Sequence, residues 1–125
     1  LATMVQKDGL VLAPIKNLVR RDDLAQVADF LFATSNTDLV VVYGIQRQKM
    51  LLSARSRREH LHLGLVLSKE FPDGQAGGHR VMAGGQVLLS NLGFEVGHEH
   101  EESQEAILSA FTERMLELFS RGAEE

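Results

Sequence analysis

Hydrophobic positions along this chain recur with two different periods, and the switches between them mark out the elements. Residues 9–15 (Gly-Leu-Val-Leu-Ala-Pro-Ile) form an apolar run closed by Pro14 and predict a strand. Leu24, Val27, Ala28, Leu31 and Phe32 then follow the stripe of an amphipathic helix, with Asp22 or Asp23 as its cap. Residues 34–37 (Thr-Ser-Asn-Thr) are a polar break. Leu39 to Ile45 is apolar at nearly every position, which predicts a central strand covered on both faces. Gln46-Arg47-Gln48 turns the chain, and Lys49 to Arg55 returns as the second arm of a hairpin.

Glu59 to Phe71 fits two periods. Leu61, Leu63, Leu65 and Leu67 alternate as in a strand, with His60 and His62 between them. Leu63, Val66, Leu67 and Phe71 also fit a helix stripe, and Lys69-Glu70-Phe71 before Pro72-Asp73-Gly74 has the form of a helix end. Gln86 to Ser90 predicts a further strand, left through the turn Asn91-Leu92-Gly93. Glu101 to Phe119 predicts a long helix whose apolar face carries Ile107, Phe111, Met115, Leu118 and Phe119. Glu101, Glu102 and Glu105 suit its positive N-terminal end, while Arg121 and Gly122 suit its other end and its stop. Alternating strands and helices place the chain in the α/β class. The expectation is a mixed sheet of four or five strands, a hairpin near its middle and about three flanking helices.

With 125 residues the chain has the size of one domain, residues 1–125. No apolar run is long enough to span a bilayer, and no basic-then-apolar stretch of a signal peptide opens the sequence. The absence of cysteine excludes disulfides and thiolate metal sites and fits a reducing cytoplasm. A net charge of -4 argues against a protein that coats long nucleic acid duplexes. Gripping one nucleotide or one oligonucleotide end needs only a local basic cluster. The chain begins at Leu1 rather than Met, so a piece of a longer protein is expected.

The densest candidate chemistry lies in residues 77–85, Gly-Gly-His-Arg-Val-Met-Ala-Gly-Gly. Glycines let backbone N–H groups approach a ligand closely, and successive N–H groups in a turn form a nest for anions. His79 and nearby arginines add side-chain donors for a phosphate. A glycine turn between a helix and a strand that holds nothing is the plain alternative. Upstream, Ser53-Ala54-Arg55-Ser56-Arg57-Arg58 sets Arg55 at the end of a predicted strand, facing the glycine loop. A guanidinium there would grip phosphate bidentately. Arg57 and Arg58 read as a solvated charge run, and His60 and His62 as ordinary surface residues. His98-Glu99-His100-Glu101-Glu102 offers ligand types for a metal, but reads more simply as an acidic helix start with exposed histidines. No Ser-His-Asp or Cys-His set can be assembled.

Together these segments resemble the type 1 DHH-associated domain, the C-terminal lobe of DHH-family phosphoesterases such as RecJ-type exonucleases and nanoRNase/phosphoadenosine-phosphate phosphatases. The family signature G-G-G-H-x-x-A-A-G is matched by Gly77, Gly78, His79, Ala83 and Gly84. Ala76 stands at its first glycine and Met82 at its first alanine. A second element, S-x-R-S, is matched by Ser53, Arg55 and Ser56, and the order of elements agrees from about Gly9 to Leu89. The resemblance favours a helix for residues 59–71. It implies that Arg55, Ser53, Gly77, Gly78, His79, Ala83 and Gly84 form a substrate phosphate site, with Arg55 on the phosphate or sugar and His79 positioning the terminal nucleotide. The Asp-His-His motif that holds two divalent metals in these enzymes is absent. The chain would thus carry no cofactor itself; metal, most simply manganese, would sit in an N-terminal DHH domain across a cleft. The implied substrates are short oligonucleotides or nucleotide phosphates. Related domains also end alanyl-tRNA synthetases, where they contribute to tRNA binding and dimerisation, and that non-catalytic role is the alternative.

Overall fold

The computed structural model describes residues 3–34, 36–94 and 101–120. Among the described residues six strands form one mixed sheet: β1 (Val5–Lys7), β2 (Leu10–Ile15), β3 (Leu39–Gln46), β4 (Lys49–Ser56), β5 (Gln75–Gly78) and β6 (Met82–Leu88). Their order across the sheet is β1-β2-β3-β4-β6-β5. Three helices flank it: α1 (Asp22–Thr34), α2 (Leu63–Glu70) and α3 (Glu101–Ser120), with a single 3₁₀ turn at Leu89–Leu92. Only β2 and β3 pair in parallel, bridged by α1; the other neighbours are antiparallel.

The α/β class, the central β3–β4 hairpin and the three helices agree with the sequence pattern, but the sheet has six strands rather than four or five. The two additional strands are its edges. Val-Gln-Lys of β1 carries one hydrophobic residue, and Gln-Ala-Gly-Gly of β5 carries no β-branched or aromatic residue. Neither segment shows the alternation that marks a half-buried strand. The last strand also starts earlier than Gln86, at Met82, and Ser90 falls in the 3₁₀ turn. Residues 59–71 yield helix only from Leu63 onward, while Leu61 fills the core from the connection before it. Asp22 and Asp23 lie in the first turn of α1 rather than before it. The proposed helix end at Arg121 and Gly122 and the pair His98 and His100 lie outside the described residues.

Two hydrophobic layers cover the two faces of the sheet. On one face Leu12, Val41, Tyr43, Met50, Leu52 and Ala54 meet Leu63 and Leu67 of α2 and Phe111, Met115 and Phe119 of α3. On the other, Val11, Ala13, Val40, Val42 and Leu51 meet Leu24 and Ala28 of α1. The alternation of side chains along a strand accounts for the division: odd and even positions of β3 feed opposite layers. Tyr43 is fully buried, its ring edge-on to Phe111 at 4.9 Å and its hydroxyl bonded to Thr112. Desolvation pushes its pKa up to about 12, a rise that the hydrogen bond shared with Thr112 only partly offsets.

Candidate functional site

The site grows from a mismatch between helix and sheet. α1 lies over β3 and β4, so its cover ends where the sheet continues into β6 and β5. On β6, Ala83 and Val87 point into the core under α2 and α3. The intervening Gly84 and Gln86 therefore face the side α1 leaves open. Register brings Ser53 of β4 beside Gly84, and Gly84 beside Gly77 of β5. A row of minimal side chains thus floors a groove of about 360 Å³. Arg21, just before α1, and Leu24 of α1 form one wall; residues 51–53, Arg55, Gln75 and residues 82–86 supply the rest.

Arg55 stands at one end of this groove and is only 7% exposed. A buried guanidinium needs partners, because desolvating a charge costs several kcal/mol. Arg55 Nε donates to Asp29 Oδ1 of α1 at 2.8 Å, and Nη1 donates to the Ala54 carbonyl at 2.9 Å. These bonds fix the plane of the group and engage two of its five N–H donors. At the other end, Arg21 donates to Gln86 Oε1, and Gln86 Nε2 donates to Gln75 Oε1 at 2.9 Å. The groove therefore runs along β4 and β6 from one arginine to the other.

Of the seven residues singled out in the sequence, Ser53, Arg55, Ala83 and Gly84 line this groove. Gly77 abuts it through its pairing with Gly84, whereas Gly78 and His79 lie beyond its lining. The glycine stretch is not a loop between a helix and a strand. It is the β5–β6 hairpin, with 79–81 as its turn and Gly77 and Gly78 paired with Gly84 and Ala83. Its backbone runs in a ladder, and the glycines serve close packing. At Gly85, where φ is +147°, a Cβ would stand 1.9 Å from the Gln75 carbonyl oxygen. At Gly64 of α2, a Cβ would stand 2.1 Å from the Gly78 carbonyl oxygen.

The hairpin turn is tied down on two sides. Gly64 N donates to the His79 carbonyl at 2.9 Å and Leu63 N to the Arg80 carbonyl at 3.0 Å. Ser56 N of β4 donates to the Val81 carbonyl at 2.9 Å, and His79 N to Met82 O at 2.8 Å. Two orphan donors of α2 are thereby satisfied by the turn. A third, on Leu65, is capped by His62 Nδ1 at 3.1 Å, so His62 is a helix cap. The imidazole of His79 is exposed, on a turn whose shape is set by its backbone.

Arg57 and Arg58 have structural partners. The Arg57 guanidinium stacks on Phe32 at 3.6 Å and donates to the carbonyls of Thr37 and Phe32. Arg58 Nε bonds Asp38 at 3.0 Å and Nη1 bonds the Phe119 carbonyl at 3.0 Å, closing the last turn of α3. Among the described residues no group of three or more histidine, aspartate or glutamate side chains could hold a metal. Nor is any described helix long and apolar enough to cross a membrane. The sequence reading passed over Arg21, Asp29, Gln75 and Gln86. Arg21 precedes a helix start, and Asp29 carries a charge on a helix face, so neither differs locally from a solvated residue.

Uncharacterized protein MJ1633 of Methanocaldococcus jannaschii is 29% identical over 121 residues, covering 97% of this chain and 24% of that protein. The chain thus spans about a quarter of that curated relative. In fold it is similar to an exopolyphosphatase-related protein from Bacteroides fragilis (TM-score 0.59, 15% identity, 98% of this chain and 33% of that one). It is also similar to the C-Ala domain of Aquifex aeolicus alanyl-tRNA synthetase (TM-score 0.55, 16% identity, 86% and 98%). A pGpG-specific phosphodiesterase from Vibrio cholerae shares the fold as well (TM-score 0.50, 11% identity, 88% and 35%). The sequence matches the DHHA1 domain over residues 7–117, nearly its whole length, and the chain belongs to the DHHA1 domain family.

Proposed function

We propose that this domain is the substrate-holding lobe of a metal-dependent DHH-family phosphoesterase, acting on short oligonucleotides or nucleotide phosphates. The observation that carries the reading is the groove itself. It joins a pre-oriented, buried arginine to a floor of Ser53 and Gly84, with Gly77 paired alongside, where a phosphate or sugar can lie against the backbone. Two of the fold neighbours are, by name, a phosphodiesterase and an exopolyphosphatase-related protein, and each is about three times as long as the matched part. An N-terminal DHH domain in the same polypeptide would hold two divalent metals, most simply manganese. Bound there, those metals would supply an activated water and stabilise the leaving oxygen. This lobe contributes position: Arg55 orients the phosphate, and His79 approaches the terminal nucleotide from the hairpin turn. Phosphate contacts position a ligand without reading sequence, so little base preference is expected. The charge of -4 fits a small ligand better than a long duplex, and residues 1–125 act as one substrate-binding unit in the cytoplasm.

The test is a metal-free calorimetric or NMR titration of the chain with a short 5′-phosphorylated oligoribonucleotide. Binding lost in both Arg55→Gln and His79→Ala, with folding unchanged, supports the reading; binding indifferent to Arg55 overturns it.

One observation favours a second reading. The fold is shared with the C-Ala domain of an alanyl-tRNA synthetase, matched over 98% of that crystallised domain, so it also occurs in a protein named for a different activity. By that resemblance the domain would be a non-catalytic tRNA-binding and dimerising module. Tight binding of folded tRNA with a steep salt dependence, and none of short oligoribonucleotides, would favour it.

A further inference from the structure

We infer that Asp29, outside both sequence motifs, sets the charge preference of the groove, so that Arg55 takes a singly charged phosphodiester in preference to a doubly charged terminal phosphate. The inference rests on the reading of the groove as a phosphate-ester site.

The argument starts from the unequal exposure of the pair. Arg55 is sunk between β4 and α1, with a side chain 9% exposed, whereas the Asp29 carboxylate that holds its Nε is 64% exposed. An ion pair of two buried groups would serve packing alone. Here one partner is buried with part of its donor set directed to the groove, while the other keeps most of its surface in solvent. Asp29 therefore does two things to a ligand. It fixes the guanidinium plane through Nε, which fits the group for bidentate capture through its remaining donors. It also offsets part of the arginine's charge as seen by any anion arriving there.

A phosphate held by Arg55 would stand about 8 Å from the Asp29 carboxylate, one guanidinium width plus two hydrogen bonds away. A diester presents one negative charge and a terminal monoester close to two at neutral pH. The second charge meets Asp29 as an extra repulsion, and Arg55 is the one cation among the residues that line that end of the groove. At this distance and in a half-solvated site, one charge–charge interaction changes affinity by about three- to tenfold. Arg21, the other cation of the groove, stands at the opposite end against the neutral amide of Gln86.

Adenosine 5′-monophosphate and its methyl ester form the matched probe, since they differ by one charge and one methyl group. Both are titrated into the 125-residue chain by calorimetry or NMR, in wild type, Asp29→Asn and Arg55→Gln. Asparagine keeps an acceptor for Arg55 Nε and removes only the charge. The expected result is that wild type binds the methyl ester more tightly than the monophosphate, and that Asp29→Asn shifts the affinity ratio toward the monophosphate by about three- to tenfold. A purely structural Asp29 would leave that ratio unchanged, and an unchanged ratio with binding still dependent on Arg55 overturns this inference alone. Equal binding of the two probes, or a wild-type preference for the monophosphate, overturns it without any variant. Absence of binding, or binding indifferent to Arg55→Gln, overturns the groove reading and this inference with it.

Discussion

Replacing Gly64 by alanine tests whether the glycines around the hairpin are packing elements. The added Cβ would lie 2.1 Å from the Gly78 carbonyl oxygen and 2.5 Å from its carbon. Ordinary contact needs over an ångström more, and both atoms are backbone within a sheet, so α2 must retreat. Retreat on that scale carries the bonds from Gly64 N and Leu63 N, now 2.9 and 3.0 Å, beyond hydrogen-bonding range. Each lost backbone bond costs about 1 kcal/mol. Disturbed packing of Leu63 and Leu67 adds about 1–3 kcal/mol. Alanine's better helix propensity returns about 1 kcal/mol. The net expectation is a loss of about 2–4 kcal/mol. Urea unfolding followed by circular dichroism measures it as a lower midpoint with an unchanged slope. An unchanged or raised midpoint, as helix propensity alone would give, refutes the reasoning.

Tyr43 is the only tyrosine in the chain, so tyrosinate absorbance reports its ionisation directly, and it should titrate near 12 in the folded protein. Because the folded pKa lies above the unfolded value, the associated stability is complete below pH 10 and falls as pH rises toward 12, by about 2–3 kcal/mol in all. Tyr43→Phe should show a shallower alkaline decline. Arg58→Ala removes the donor to Phe119 and the pairing with Asp38, and hydrogen exchange should report faster opening of the last turn of α3, at a cost of about 1–2 kcal/mol. His62→Ala removes the cap of α2 and should lower stability by about 1 kcal/mol in thermal melts.

The central elements were legible in the sequence because their side chains carry the signal. β3 reads as a buried central strand since 39–44 are all apolar or glycine, and α1 reads from its stripe. The edges were not legible, because β5 is built from residues chosen for their lack of side chain, and a glycine-rich strand looks like a loop. The helix at 63–70 was obscured for a related reason: its leucines alternate locally, and only the seating of Gly64 on the Gly78 backbone decides its place. At the site, Arg55 and Ser53 could be found from their motif. Asp29 and Arg21 could not, since the partner of a buried guanidinium is chosen by the packing of α1 on β4, 26 residues apart in sequence for Asp29.

The tethering of residues 79–82 by α2 and β4 has a consequence for how this region opens. A hairpin tip is ordinarily the first part of a sheet to fray, independently of its neighbours. Here the tip cannot leave without uncapping two donors of α2 and releasing one of β4. The β5–β6 hairpin and α2 should therefore exchange their amide protons as one cooperative unit, with similar protection. A site resting on that unit has already lost its conformational entropy on folding, so a ligand arriving there would not have to order the backbone beneath it.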